Sequence, residues 1–106
     1  MKSEFENIPR VDNKVLHRFE LTVNGLTAFI DYESAQDGVL SLVHTEAPEA
    51  LTGTGAAAAL VEKTFLKLEQ SGILIQPFCP YIFAFIKRHP EWKKLVYKGF
   101  PGYGRL

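Results

Sequence analysis

The strongest constraint on the fold is Asn24-Gly25, set between VLHRFELTV (15–23) and LTAFIDYES (26–34). A type I′ turn needs positive φ at both central residues, and Asn-Gly tolerates this well. Flanks rich in Val, Leu, Ile, Phe and Thr favour extended backbone, so the stretch predicts an antiparallel hairpin. Asp37-Gly38 supplies a second turn, and VLSLVHTE (39–46) continues as a third strand. Three consecutive strands joined by tight turns form a meander, which makes the first half of the chain antiparallel sheet.

The periodicity then changes. After a loop over 47–52 containing Pro48, the residues Ala57, Leu60, Val61, Thr64, Phe65 and Leu68 recur at i, i+3 and i+4. That spacing predicts a helix from Ala56, closed by Gly72 as a C-terminal cap. ILIQPFC (73–79) reads as a short apolar strand. Pro80 suits the first position of a second helix, running to about Arg88, because its missing N–H is not needed there. His89 precedes Pro90, which disfavours further helix. EWKKLVYKGF fits either a short strand or a helix, and PGYGRL reads as a loose tail. The prediction is an α+β fold forming one domain over 1–106, with 1–12 and 98–106 as less regular ends.

Bulk properties narrow the function classes. The length of 106 residues fits a single domain. Twelve basic and twelve acidic side chains cancel, leaving no bulk field to recruit nucleic acid or an anionic membrane. The apolar stretches are far shorter than the ~18 residues of a membrane span. MKSEFENIPR lacks the apolar segment of a secretory signal. A single cysteine, Cys79, forms no internal disulfide, which fits a reducing, cytoplasmic setting.

LTGTGAAAAL (51–60) is the motif with most chemical content. A Walker-type loop ends in Gly-Lys-Ser/Thr, whose lysine neutralises phosphate, and alanines stand there instead. Gly53-x-Gly55-x-x-Ala58 matches a dinucleotide fingerprint in letters. That fingerprint opens a βαβ unit directly after a parallel strand, whereas here a Pro-containing loop follows a meander strand. Two readings remain open on the residues alone. One is a pyrophosphate loop at a helix N-terminus, where free amides and partial positive charge collect. The other is a glycine turn whose alanines pack against the sheet.

Two longer stretches, HTEAPEALTGTGAAAALVEKTF and ILIQPFCPYIFAFIKRHPEW, resemble the small GCN5-related N-acetyltransferase-like proteins. The shared pattern joins a His-Thr-Glu strand end, a glycine loop opening a helix, and a Cys-Pro-aromatic segment leading to a His-Pro-Glu-aromatic end. The resemblance spans about residues 15–97. It implies a mixed, mostly antiparallel sheet whose fourth and fifth strands splay apart, with acetyl-coenzyme A lying in the V. It also implies coenzyme contacts from Thr45 and from the loop Thr52, Gly53, Thr54, Gly55, Ala56 and Ala57. Gly55-x-Ala57 matches the family loop, but Thr52 replaces its Gln or Arg, and Thr54 replaces a residue that is often basic.

Several residues are candidates for chemistry. In a strand, His44 and Glu46 share one face and Val43 and Thr45 the other. Either His44 or Glu46 is a candidate base for an acceptor amine, His44 having the residue type that titrates nearer neutrality. Both also read as ordinary polar residues at a strand end. Cys79 falls at the N-cap of the second helix, where a positive helix end favours a thiolate. It is a candidate nucleophile for the acetyl group, or else an inert buried thiol. Tyr81 is a candidate hydrogen-bond donor to the departing thiolate, or an aromatic core residue. Lys87, Arg88 and His89 either reach coenzyme phosphates, Arg88 foremost, or complement the helix C-terminus. Trp92, Ile82, Phe85 and Ile86 read as core.

Fuller enzymes of this family carry helices between their first two strands, walling the acceptor site. Asn24-Gly25 leaves no room for them here, which implies an open acceptor side, suited to a protein or other bulky amine or to no efficient amine substrate at all. The sequence thus points to an acetyl-coenzyme A-dependent N-acetyltransferase. The alternatives are a non-catalytic coenzyme A- or acyl-coenzyme A-binding module and a protein-interaction domain.

Overall fold

A computed structural model describes residues 2–106. A five-stranded sheet runs in sequence order: β1 (Val11–Asn13), β2 (Arg18–Val23), β3 (Leu26–Gln36), β4 (Val39–Glu46) and β5 (Leu74–Pro77). The first three pairings are antiparallel and β4–β5 is parallel. The parallel step needs a crossover, which is supplied by α1 (Ala56–Ser71). A second helix, α2 (Pro80–Arg88), follows β5, and a 3-10 segment covers Pro90–Leu95. The fold is the mixed α+β arrangement expected.

The β2–β3 turn has φ of 51° at Asn24 and 78° at Gly25, the pair of positive values a type I′ turn requires. The strand expected over 15–23 starts later, at Arg18, because residues 14–17 form a turn. Asn13 Oδ1 accepts from the Leu16 amide at 3.1 Å in that turn, and His17 takes φ of 54°. The turn connects β2 to β1, a strand the sequence reading left within the irregular lead-in. Tyr32 Oη donates to Asp12 Oδ1 at 2.6 Å and so ties β1 across β2 to β3.

α1 packs on β2 and β3, α2 packs on β4, and both helices meet the 90–95 segment. The buried face of α1 is Ala56, Ala59, Leu60, Val61, Thr64, Phe65 and Leu68. Ala57, expected on that face, is only half-buried, because the stripe is rotated towards Ala56 and Ala59. The Phe65 ring joins the two helices. It meets Phe85 at 5.8 Å and Trp92 at 5.4 Å, both edge-on, an arrangement that adds to simple area burial. Truncating such a ring to alanine costs about 3–5 kcal/mol. Ile82, Phe85, Ile86 and Trp92 are all core, as the periodicity predicted.

Residues near both ends of the described chain pack against the core. Phe5 is buried with 2% exposure against the core cluster. At the other end Phe100 is buried, residues Tyr103–Arg105 form a 3-10 turn, and Lys93 Nζ donates to Leu106 O at 3.3 Å. One buried aromatic near each end outweighs the turn-prone residues around it.

A candidate active site at the fork between two strands

Two local irregularities part β4 from β5. The ladder pairs Val39 with Leu74 and ends at Leu42 opposite Pro77. Pro77 has no amide hydrogen to extend it, and Pro80 turns the chain into α2 three residues later. On the other edge of β4, the register with β3 shifts between Asp31 and Tyr32, whose partners are His44 and Leu42. Val43 is therefore a bulge residue, and a bulge bends and twists its strand. Beyond the fork, β4 runs on from Val43 to Glu46 paired only with β3, and its backbone on the β5 side faces the gap. A last link closes the base of the fork, where the Cys79 amide donates to Leu42 O at 2.9 Å.

Cys79 occupies this fork. It is the N-cap of α2 with extended backbone, but its side chain makes no cap bond. Instead Sγ donates to Thr45 Oγ1 at 3.3 Å, across the gap between the two strands. The thiol is 3% exposed and belongs to the core cluster. Tyr81 lies on the first turn of α2 and is partly exposed. Burial pushes its phenol above the ordinary range, the nearby Cys79 adds to the rise, and Arg88 opposes it. The phenol thus keeps its proton at neutral pH. Arg88, seven residues on, shares that side of the helix, as an i, i+7 spacing dictates.

The glycine loop lies at the start of α1. Gly53 and Gly55 have φ of 78° and 89°, a region that side chains with a Cβ rarely adopt. Thr54 folds back onto the loop: its Oγ1 donates to Leu51 O at 2.7 Å and accepts from the Ala56 amide at 3.2 Å. The helical ladder begins with the Ala59 amide donating to Gly55 O at 3.0 Å. The amides of Ala57 and Ala58 precede it, so they point out of the helix end. Thr52 and Gly53 are exposed beside them.

A groove of about 620 Å³ starts at this loop, lined by Lys2, Gly55, Phe85 and His89 and also by two carboxylates, Glu62 and Glu91. Of the three charged residues ending α2, the groove takes His89, whereas Arg88 faces Tyr81. Lys2 escaped the sequence reading altogether. It reaches the loop from 52 residues away, and no local pattern could signal that contact.

His44 and Glu46 lie on the opposite face of β4 from Thr45. Their cross-strand partners are Asp31 and Phe29, whereas Thr45 pairs with the fully buried Ile30. His44 Nε2 and Glu46 Oε2 stand 3.4 Å apart, with side chains 57% and 62% exposed. Among the described residues no helix covers that face, and Arg18 lies over the Phe29 ring at 3.8 Å there. The structure therefore brings Thr45 and Cys79 together at the fork, with Tyr81 on the adjoining first turn of α2, and sets His44 and Glu46 around the strand on its open side. Among the described residues no cluster of three His, Cys, Asp or Glu could hold a metal, and no helix is long and apolar enough to cross a membrane.

No curated protein matches this chain significantly. A family model described as GCN5-related N-acetyl-transferase matches residues 18–95. The matched span runs from β2 through the 3-10 segment after α2, and so contains the fork, the glycine loop and Cys79 together. With the parted strands and the glycine-opened crossover helix both present, the chain belongs to the GCN5-related N-acetyltransferase family.

Proposed function

We propose that the protein is an acetyl-coenzyme A-dependent N-acetyltransferase acting on an amine presented from the open face of the sheet. The observation that carries this reading is the fork itself, where Cys79 reaches Thr45 beside unpaired β4 backbone, two residues before Tyr81 on the first turn of α2. The residues fit the coenzyme. Bare glycines and the amides of Ala57 and Ala58 suit a pyrophosphate at a helix end. The groove beyond them has room for more of the molecule.

Acetyl-coenzyme A supplies an acetyl group activated as a thioester. The β4 backbone facing the gap offers donors to the thioester carbonyl, whose oxygen gains charge as the acceptor nitrogen bonds to the carbon. Tyr81, a phenol protonated at neutral pH and shifted further up by burial, holds a proton for the sulfur as the C–S bond breaks. The amine proton leaves to water on the side of His44 and Glu46, which are hydrated there. The missing helices leave this side open, which favours a protein or other bulky amine.

Cys79 supports a two-step variant. Its position at the fork, hydrogen-bonded to Thr45, lets Sγ take the acetyl group while its proton passes to the departing coenzyme A thiolate, before the amine takes the group in turn. Incubation with labelled acetyl-coenzyme A and a panel of amines and proteins tests transfer, with mass spectrometry of the protein following any acetyl-enzyme. Label reaching an amine is expected from the wild type. Cys79→Ala should abolish an acetyl-enzyme if the thiol carries the group; undiminished transfer by that variant assigns direct attack. A protein that binds coenzyme and transfers nothing is a binding module, the reading favoured by the hydrated His44 and Glu46.

A further inference from the structure

The segment before β1 crosses the glycine loop. Lys2 Nζ donates to Thr54 O at 2.8 Å. The Lys2 Cε and Cδ lie 3.4 and 3.5 Å from where a Cβ would stand on Gly55, so the stem rests on the bare side of that glycine. Two anchors hold the segment in place: the buried Phe5, and Lys63 Nζ of α1 donating to Glu6 O at 3.2 Å. Lys2 also lines the groove that starts at the loop. Between residues 47 and 62 the chain has no lysine or arginine, so the loop and the first turns of α1 bring no cation of their own.

We infer that Lys2 is a coenzyme-binding residue, delivering from the N-terminal segment the positive charge that Thr52 and Thr54 do not supply to the pyrophosphate. The inference rests on the coenzyme reading above. A lysine ammonium has three N–H donors. One is used on Thr54 O, and two remain for phosphate oxygens beside the exposed helix amides. Lysine binds phosphate as a point charge, which needs proximity more than a fixed fork geometry. The anchors at Phe5 and Glu6 hold the ammonium at the loop in advance, which lowers the ordering cost of binding.

Calorimetric titration of the full chain with coenzyme A and with dephospho-coenzyme A, which keeps the pyrophosphate and lacks the 3′-phosphate, tests this. Lys2→Met retains the apolar stem on Gly55 and removes the charge; Lys2→Arg keeps the charge. Lys2→Met should weaken both ligands by a similar factor, on the order of tenfold. It should also flatten the salt dependence of binding, while Lys2→Arg recovers most of the affinity. Saturable wild-type binding with Lys2→Met equal or tighter would overturn the inference and leave the coenzyme reading standing. Loss confined to coenzyme A, with dephospho-coenzyme A unaffected, would overturn the pyrophosphate assignment. A wild type that binds neither ligand would overturn both readings.

Discussion

Replacing each loop glycine by alanine separates the fold's need for these glycines from the site's. Gly53 and Gly55 both sit at positive φ, 78° and 89°. An alanine there costs about 1–2 kcal/mol against a right-handed conformation. For a domain of this size that lowers Tm by roughly 5–10 °C. The surroundings differ. A Cβ on Gly53 meets nothing within 4 Å, whereas one on Gly55 meets Lys2 Cε at 3.4 Å and Phe5 Cε2 at 3.6 Å. Those are ordinary contacts, so Gly55→Ala should unfold at nearly the same temperature as Gly53→Ala. The new methyl group, however, stands on the surface between the loop and Lys2. Coenzyme A affinity should therefore fall on the order of tenfold further in Gly55→Ala than in Gly53→Ala. Thermal unfolding by circular dichroism and calorimetric titration read the two effects separately. Equal affinities in the two variants would refute a part for the Lys2–Gly55 packing in binding, and unchanged Tm in both would refute the strain argument.

Two further predictions concern stability. Thr64 is fully buried on α1 and its hydroxyl has no hydrogen-bond partner among the described residues, so Thr64→Val should raise stability by about 1 kcal/mol in urea unfolding; a lower midpoint would show that the hydroxyl is satisfied. The Tyr32 phenol is raised to about 12 by burial, by its hydrogen bond to Asp12 and by the Asp12 charge, with Arg10 opposing. A raised phenol favours the neutral folded form, so its contribution is fully present below the ordinary value of about 10 and is lost as pH rises through about 12. Tyrosinate absorbance should show this group titrating late in the wild type and earlier in Asp12→Asn; identical titrations would contradict the Tyr32–Asp12 bond.

Local chemistry explains what the sequence made legible. Asn24-Gly25, Gly72 and Pro80 each act on their own backbone, and turns, caps and helix starts fell where those residues put them. The apolar stripe of α2 was legible for the same reason. β1 was not, because Val11–Asn13 is short and is held by tertiary contacts such as Tyr32–Asp12. PGYGRL reads as a loose tail because it is turn-prone by composition, while the packing of Tyr103 and Leu106 against the core and the Lys93–Leu106 bond depend on other parts of the chain. The site shows the same division. The parity of a strand already separated Thr45 from His44 and Glu46, but only the fold shows Cys79 reaching Thr45, 34 residues away, and Lys2 reaching Thr54.

The central claim is that a coenzyme lies along the glycine loop and into the β4–β5 fork. Amide NMR of the labelled full chain titrated with coenzyme A tests it most directly. The account predicts saturable shifts largest at Gly53, Gly55, Ala57 and Ala58, continuing to Thr45 and Cys79. Shifts absent throughout, or confined to the aromatic surface of Phe78, Phe83 and Phe100, would contradict it.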